Sequence, residues 1–519
     1  MKLAKHIDMK KTLATAVLFL SVFLVSCGDD TPVNNNPTPL KEGENIINIY
    51  LDNRNDKNAS VTYDKGLYAF TIDGIDYFLG ENTAICKGVH SGSSYKKDVK
   101  IYSEIGYNGK YYVVESIQDF AANGKDITSI DIPEGVKSIH DFCFQDCKKL
   151  KTVKLPVSME SIGFASFEGC ESLSSITLTE GIKTVSSHAF QGCKELTSIV
   201  FPASVTEIGD YAFCKCTAIE SVTFEGSNLK SIGTSGFDRC VRLKNIEIPS
   251  SVRSIGAYAF RQDSMLSTAN VPEGIKVLPE RVFESCISLQ SISLASTLET
   301  IGDSCFFDCT SLRSITLPKN LMSIGASGFR HCDKLVSVDL TESVKRLGDL
   351  CFMECKSLTN ITMPAAMDYI GAGCFQSCSM LKKIVLPSGL DKLQKSLFMG
   401  CQRLDSIEVS EGVETICEYC FSQCNSLKFL SLPSTVKMLE IDSFDILLRS
   451  SNFTFICNAV NVPQCQNVEY REVFTDEVYE RGTLYVPAES IEAYKADDVW
   501  GRWSKLDDKD NEVGILPIK

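Results

Sequence analysis

Apolar residues return along this chain at one fixed interval. Phenylalanine stands at positions 144, 167, 190, 213, 237, 260, 283, 306, 329, 352, 375, 398, 421 and 444, in steps of 23 residues with a single step of 24. A period between 20 and 50 residues marks a repeat solenoid, in which each unit buries its apolar face only against its neighbours. Counted from each Phe, Cys follows three places later in twelve of the fourteen units, with Asp263 and Leu447 as the exceptions. Further apolar residues follow at +6, +9 and +11, as in Leu196, Ile199 and Phe201. The +9 and +11 pair alternates with period two, which predicts one short strand per coil with its apolar side chains turned inward. Proline is frequent at +12 (Pro156, Pro202, Pro249), where its missing N–H ends the strand. A second apolar pair, such as Val252 and Ile255, leads to a frequent glycine (Gly209, Gly256, Gly302) at which the chain is expected to turn. A small residue before each ring, such as Ala189 or Ala212, leaves room for it.

The pattern predicts a mainly β repeat solenoid of fourteen coils over residues 126–450, with parallel strands stacked into a sheet. At roughly 4.8 Å per coil the rod would be about 70 Å long. The extra residue near Glu225 to Asn228 belongs in a turn, because the pattern resumes intact after it. Solenoid ends need shielding from water and from sheet-edge pairing. Residues 43–125 supply a small β-rich N-terminal cap with strands expected at Leu67 to Ile72, Tyr77 to Leu79, Val99 to Tyr102 and Tyr111 to Val114. Residues 451–519 read as a mixed C-terminal cap, in which Gly482 to Val486 is a last strand, a helix follows Pro487, and Trp500 and Trp503 are structural.

Residues 1–26 have the form of a secretion leader: Lys2, Lys5, Lys10 and Lys11 precede an apolar run from Leu13 to Val25 that is too short to span a bilayer comfortably. Residues 27–42 follow as a polar, Pro/Asn-rich flexible linker. Leu24-Val25-Ser26-Cys27 resembles the bacterial lipobox, which implies lipidation of Cys27 and anchoring by acyl chains. Asp29 and Asp30 resemble the surface-export tether of Bacteroides-type lipoproteins. The repeat unit itself, seen from Ile246 to Leu266 with Asp263 in the Cys place, resembles the BspA-like leucine-rich repeat of bacterial surface proteins. That resemblance implies a lipid-anchored protein exposed on the outer membrane, with a binding scaffold that attaches to host or matrix proteins or to other cells. Two alternatives stay open: glycan binding within a nutrient-uptake system, and a structural envelope role.

The open face of the predicted sheet is where ligand contact is expected. Its +8 column contains Ser175, Ser198, Ser221, Asn245, Thr268, Ser291, Ser314, Ser337, Asn360 and Phe429, a hydroxyl-rich strip with one aromatic residue. Ser and Thr also tolerate strand geometry on a merely solvated face. The partners implied are a protein ligand or a glycan, and the chain reads as a monomer.

Other chemistry is thin. Twenty-three cysteines in an exported chain invite disulfides, but most occupy repeat positions where a free thiol acts as a small buried apolar residue. Pairs such as Cys351 and Cys355 have no second pair at zinc-finger spacing, so no metal is expected. No cofactor motif is present, His90, His140, His188 and His331 fall at unrelated repeat positions, and no catalytic role is expected. Removing the leader's net +3 takes the formal charge from -14 to -17. An acidic body without a local run of Lys and Arg opposes nucleic-acid binding.

Overall fold

In the computed structural model the period becomes a parallel β-solenoid of about 15 turns of ~23 residues, with little helix. The structure describes residues 62–64, 68–226, 228–448, 453–468, 471–505 and 514–518, with a few short strand segments before them. Cys27 and nearly all of the leader and linker lie outside these residues. Each coil contributes to two sheets. The first is built from the predicted strand, as in Thr152–Lys154, Ser198–Phe201 and Ser221–Phe224. The second is built from two-residue strands such as Ser161–Ile162, Glu207–Ile208 and Ser254–Ile255. Both run in parallel register, Ile199 opposite Val222 and Ile208 opposite Ile232, so equal positions of successive coils stack directly.

The phenylalanines form one continuous buried column. From Phe144 to Phe444 successive ring centroids are 5.1–5.9 Å apart, with ring planes within 19° of parallel. Phe120 extends the column at one end at 5.1 Å and Phe474 at the other at 5.2 Å. Neither residue keeps the 23-residue spacing, which is why the sequence pattern stops short of them.

Beside the rings runs the cysteine column, and its chemistry is more specific than packing. Every thiol of the column after Cys147 donates to the carbonyl of the preceding coil's Phe, as with Cys170 to Phe144 at 3.2 Å, Cys309 to Phe283 at 3.2 Å and Cys424 to Phe398 at 3.1 Å. A weak donor on a small apolar side chain suits a buried carbonyl that already accepts one backbone N–H. Burial pushes the Cys424 thiol up to about 12, and raises Cys170, Cys309 and Cys401 well above the usual thiol range, so these groups stay protonated donors.

The glycines correct the expectation that they turn the chain. Gly256 and Gly348 do not adopt positive φ; a Cβ at either would lie 2.4 Å from Thr234 N and 2.3 Å from Ala326 N of the preceding coil. Close backbone approach therefore selects glycine there. The left-handed turns fall two places before each Phe and, from Phe144 to Phe421, two places after it, mostly on other residues such as His188 (φ 59), Tyr211 (φ 56), Asp308 (φ 60) and His331 (φ 60). Left-handed backbone costs roughly 1–2 kcal/mol per residue. Backbone bonds to the next coil offset it: the N–H of His188 reaches Asp210 O and that of Tyr211 reaches Thr234 O, both at 2.8 Å.

At the N-terminal end, Ala69–Ile72, Ile75–Leu79 and Thr83–Val89 form an antiparallel meander. Thr83–Val89, which the hydrophobic pattern did not suggest, then pairs in parallel with Lys110–Ile117, and that strand pairs with the first strand of the second sheet, Ser138–Ile139. The cap thus converts hairpin pairing into solenoid pairing. At the other end Phe453–Cys457, Gly482–Val486 and Ile515–Pro517 prolong the first sheet. Trp500 and Trp503 are fully buried against Phe455, with the Trp500 indole N–H donating to Pro463 O at 2.9 Å. The two tryptophans close the core.

Asp263, the polar exception in the cysteine column, is fully buried, accepts the Cys240 N–H at 2.8 Å through one oxygen and leaves the other without a partner. Burial holds its carboxyl well above the usual carboxylate range. The folded chain therefore holds this proton to higher pH than the unfolded chain does. Its contribution to stability is therefore greatest below the ordinary carboxylate pKa and falls as pH rises above it, until the folded group also ionises. Asp263→Cys is expected to stabilise the chain at pH 7 by about 1–3 kcal/mol and to flatten the decline of stability with rising pH, as read by urea melts at several pH values. Phe306→Ala, which opens a gap in the ring column, should cost about 3–5 kcal/mol, with hydrogen-exchange protection lost first in the adjoining coils.

Candidate ligand-binding faces

The +8 column is an exposed ridge of the first sheet. Parallel register places Thr152 opposite Ser175, Ser198 opposite Ser221, Asn245 opposite Thr268 and Thr268 opposite Ser291. It continues with Ser314, Ser337 and Asn360, then with Lys383, Ser406 and Phe429. The strip residues from Ser175 to Asn360 are exposed, and Phe429 is half-buried. Among the described residues, no hydrogen bond ties the side chains of Ser175, Ser198, Ser221, Asn245, Thr268 or Ser291 to another protein group.

The neighbouring +10 column is more mixed. Asn270 folds back, accepting from Ile248 N at 2.7 Å and donating to Ile248 O at 2.9 Å, while Thr362 donates to Asp339 at 2.7 Å. Among the described residues Thr177, Thr223, Ser293 and Thr316 on +10 are exposed and make no side-chain hydrogen bond either, so the open donors and acceptors of this face run along +8 and extend in part to +10.

A second face was not legible as a motif. Phe142, Phe164, His188 and Tyr211 form an aromatic run at the corner leading out of the second sheet. Centroids step by 5.3, 5.0 and 4.8 Å, and Phe142, Phe164 and Tyr211 are 46, 38 and 37% exposed. The rings come from the places two or three before the core Phe, and neither place is aromatic throughout the repeat. Only the stacking of coils reveals the run. Where the +8 strip is nearly free of aromatic residues, this corner presents them to solvent.

Other groups fall into structural roles. Glu134 accepts from Val157 N at 3.0 Å and Ser158 N at 3.2 Å, and Glu273 accepts from Ser296 N and its hydroxyl, both at 2.9 Å. These carboxylates cap the turn of the following coil. The four histidines among the described residues have separate neighbours: His90 contacts Asp76 at 3.0 Å, His140 lies near Gln118 at 3.4 Å, His188 meets Gln191, and His331 contacts Glu354 at 3.2 Å. A shallow polar groove of about 380 Å³ where the cap meets the first coil is lined by Glu115, Lys137, His140 and Glu160, with Lys137 paired to Glu115 at 3.2 Å. No group of three or more His, Cys, Asp or Glu side chains that could hold a metal occurs among the described residues.

Coil shape, two parallel sheets and the Phe and Cys columns define a leucine-rich-repeat solenoid. The BspA-type leucine-rich repeat region matches residues 115–241, 230–359 and 347–465, and the chain belongs to that family. Comparison with curated proteins finds no match. Among solved structures, a leucine-rich repeat protein from Bacteroides ovatus is similar, with 25% identity, a TM-score of 0.61, and coverage of 80% of this chain and 98% of that one. A leucine-rich cell surface protein from Faecalibacterium prausnitzii shares 24% identity over 71% of this chain and 90% of its own, with a TM-score of 0.43.

Every described cysteine is free, and all but Cys465 are buried. The native chain is accordingly expected to resist a thiol reagent at pH 8, and to react at the sites from Cys86 to Cys457 once guanidinium unfolds it. A mass increment showing fewer reactive thiols after unfolding without reductant would reveal disulfides and overturn this account of the column.

Proposed function

We propose that this chain is a lipid-anchored bacterial surface protein that binds a protein ligand along the +8 strip of its first sheet, and that it has no catalytic role. The observation that carries the reading is the strip itself: side chains without protein partners, repeated once per coil on a rigid scaffold. Contacts that are weak singly add up along such a surface when the ligand engages several coils together. The role is adhesion, to host or matrix proteins or to other cells. The leader and Leu24-Val25-Ser26-Cys27 support export and anchoring at the outer membrane through Cys27. Among the described residues no helix is long and apolar enough to cross a membrane.

Glycan capture is a second reading, favoured by the aromatic corner. Exposed rings supply flat apolar contact area to sugars, as they do to proteins. Two of these rings, His188 and Tyr211, spend faces on each other at an interplanar angle of 20°, which leaves less area for stacking a sugar. The protein reading therefore stands first.

The two readings separate by mutation. On immobilised matrix proteins and on a glycan array, Ser198→Arg/Ser221→Arg/Ser291→Arg is expected to weaken protein retention at least about tenfold by crowding the strip, with an unchanged melting temperature. Phe164→Ala/Tyr211→Ala should leave it intact. Loss of polysaccharide retention in the aromatic variant, with no protein retained by the parent chain, would instead establish glycan capture. Cys27→Ala is expected to release the chain from the membrane fraction.

A further inference from the structure

Seven places before each Phe, one residue per coil stands at the outer edge of the second sheet's strand. In three successive coils these residues are Lys230, Arg253 and Lys276, and in three later ones Asp368, Asp391 and Glu414. Between the trios lie Glu299, Met322 and Lys345. The backbone N–H groups of Arg253, Glu299, Met322, Lys345, Asp368 and Glu414 each donate to the carbonyl of the same place one coil earlier, at 2.7–2.9 Å. These residues therefore form one stacked column. All are exposed except Glu299, which is half-buried.

Over the nine coils from Lys230 to Glu414 the signs of this column, three positive, one negative, neutral Met322, one positive and three negative, invert when read backwards; the flanking members Thr206 and Lys437 do not continue the inversion. Met322, the centre of inversion, is 48% exposed. Like charges stacked on adjacent strands repel, and elsewhere the coils avoid this by pairing opposite signs: Lys244 meets Glu220 at 2.7 Å and Lys356 meets Asp333 at 3.2 Å. Within the column, Lys276 reaches Glu299 at 2.8 Å and Glu414 reaches Lys437 at 2.6 Å. Arg253 caps carbonyls of its own turn. Lys230, Asp368 and Asp391 have no side-chain partner among the described residues. The two like-charged trios are left incompletely compensated within one chain.

We propose that this face pairs two copies of the chain, antiparallel, about a two-fold axis crossing the coil of Met322. A closed two-fold interface requires that a surface complement itself. Here Lys230 of one copy faces Glu414 of the other, Arg253 faces Asp391, Lys276 faces Asp368 and Glu299 faces Lys345, while Met322 meets its own counterpart. In the adjoining column Val277, 51% exposed, meets Tyr369. Nine coils at roughly 4.8 Å give a contact strip about 40 Å long. Two side chains wide, it lies at the low end of specific interface sizes, so charge carries most of the pairing and salt weakens it. The pairing replaces the monomer suggested by sequence alone. It leaves the +8 strip open, sets the two N-terminal caps at opposite ends of the pair, and does not depend on which ligand the strip takes.

Analytical ultracentrifugation of the purified chain at tens of micromolar tests this. A dimer is expected in about 50 mM salt, with its dissociation constant raised about tenfold or more in about 500 mM salt. Asp368→Lys/Asp391→Lys and Arg253→Glu/Lys276→Glu should each be monomeric in low salt with melting temperatures near that of the parent, and mixing the two should yield a heterodimer. A parent chain that stays monomeric in low salt overturns the proposal. So does a dimer that survives either double reversal, or a failure of the two folded variants to associate.

Discussion

Stacking in strict register is the constraint on which the rest of this molecule depends. Every residue in a coil has, as its nearest structural neighbours, the residues 23 places before and after it, and the 5.1–5.9 Å spacing of the Phe rings is the visible measure of that rule. A coil has no inner surface that it can bury alone, so its stability is held in the contacts between coils. The Phe column supplies apolar area and the Cys column supplies a donor for most of the Phe carbonyls. Together they fix both the separation of coils and their rotation about the axis. A shift of one residue anywhere would break two columns at once, which is why the extra residue of the single 24-residue step is taken up outside them.

Interior and exterior columns obey different rules as a consequence. An interior column must repeat nearly the same residue, because each member is the packing surface of the next. Asp263 shows how a single departure is tolerated: it keeps the volume and one hydrogen bond of its place, and gives up the neutral thiol. Exterior columns carry no such demand. Side chains there can drift from coil to coil without harming the core, and the same stacking that orders the core lines up whatever they become. Hydroxyls on the +8 strip, rings at the corner and charges on the second sheet are three such columns on one scaffold.

This division explains what could be read from the sequence. Phe repeats in every unit, Cys in twelve of fourteen, and the +9/+11 pair keeps its apolar character, so the solenoid, its parallel strands and its buried thiols were all legible as periodicity. The +8 strip was legible too, because Ser175, Ser198 and Ser221 repeat one chemistry in one column. The aromatic corner was not, since Phe164 sits one place away from the column of Phe142, His188 and Tyr211. Lys230, Arg253 and Lys276 form no local run, and a search for adjacent basic residues passes over charges that become neighbours only after coiling. The glycines misled for a different reason. Gly256 is required by the backbone of the preceding coil, a contact with no trace in its own segment. Thr83–Val89 was missed because apolar Ile85 on its outer face and Gly88 on its inner face blur the alternation, and it is pairing with Ile75–Leu79 on one side and Lys110–Ile117 on the other that holds it.

The geometry also bears on the kind of function such a chain can support. Catalysis asks for unlike side chains to converge on one point within a shielded cavity. A solenoid face does the reverse: it repeats similar side chains in parallel at the spacing of the coils and presents them outward. What this arrangement multiplies is contact length. A partner that matches the spacing gains a little at every coil, and one that matches at a single coil gains almost nothing, so discrimination comes from register along the rod. The same logic governs the charge column of the second sheet. Its inverted signs fit a surface of equal length and opposite order, and another copy of the chain, turned end for end, is such a surface.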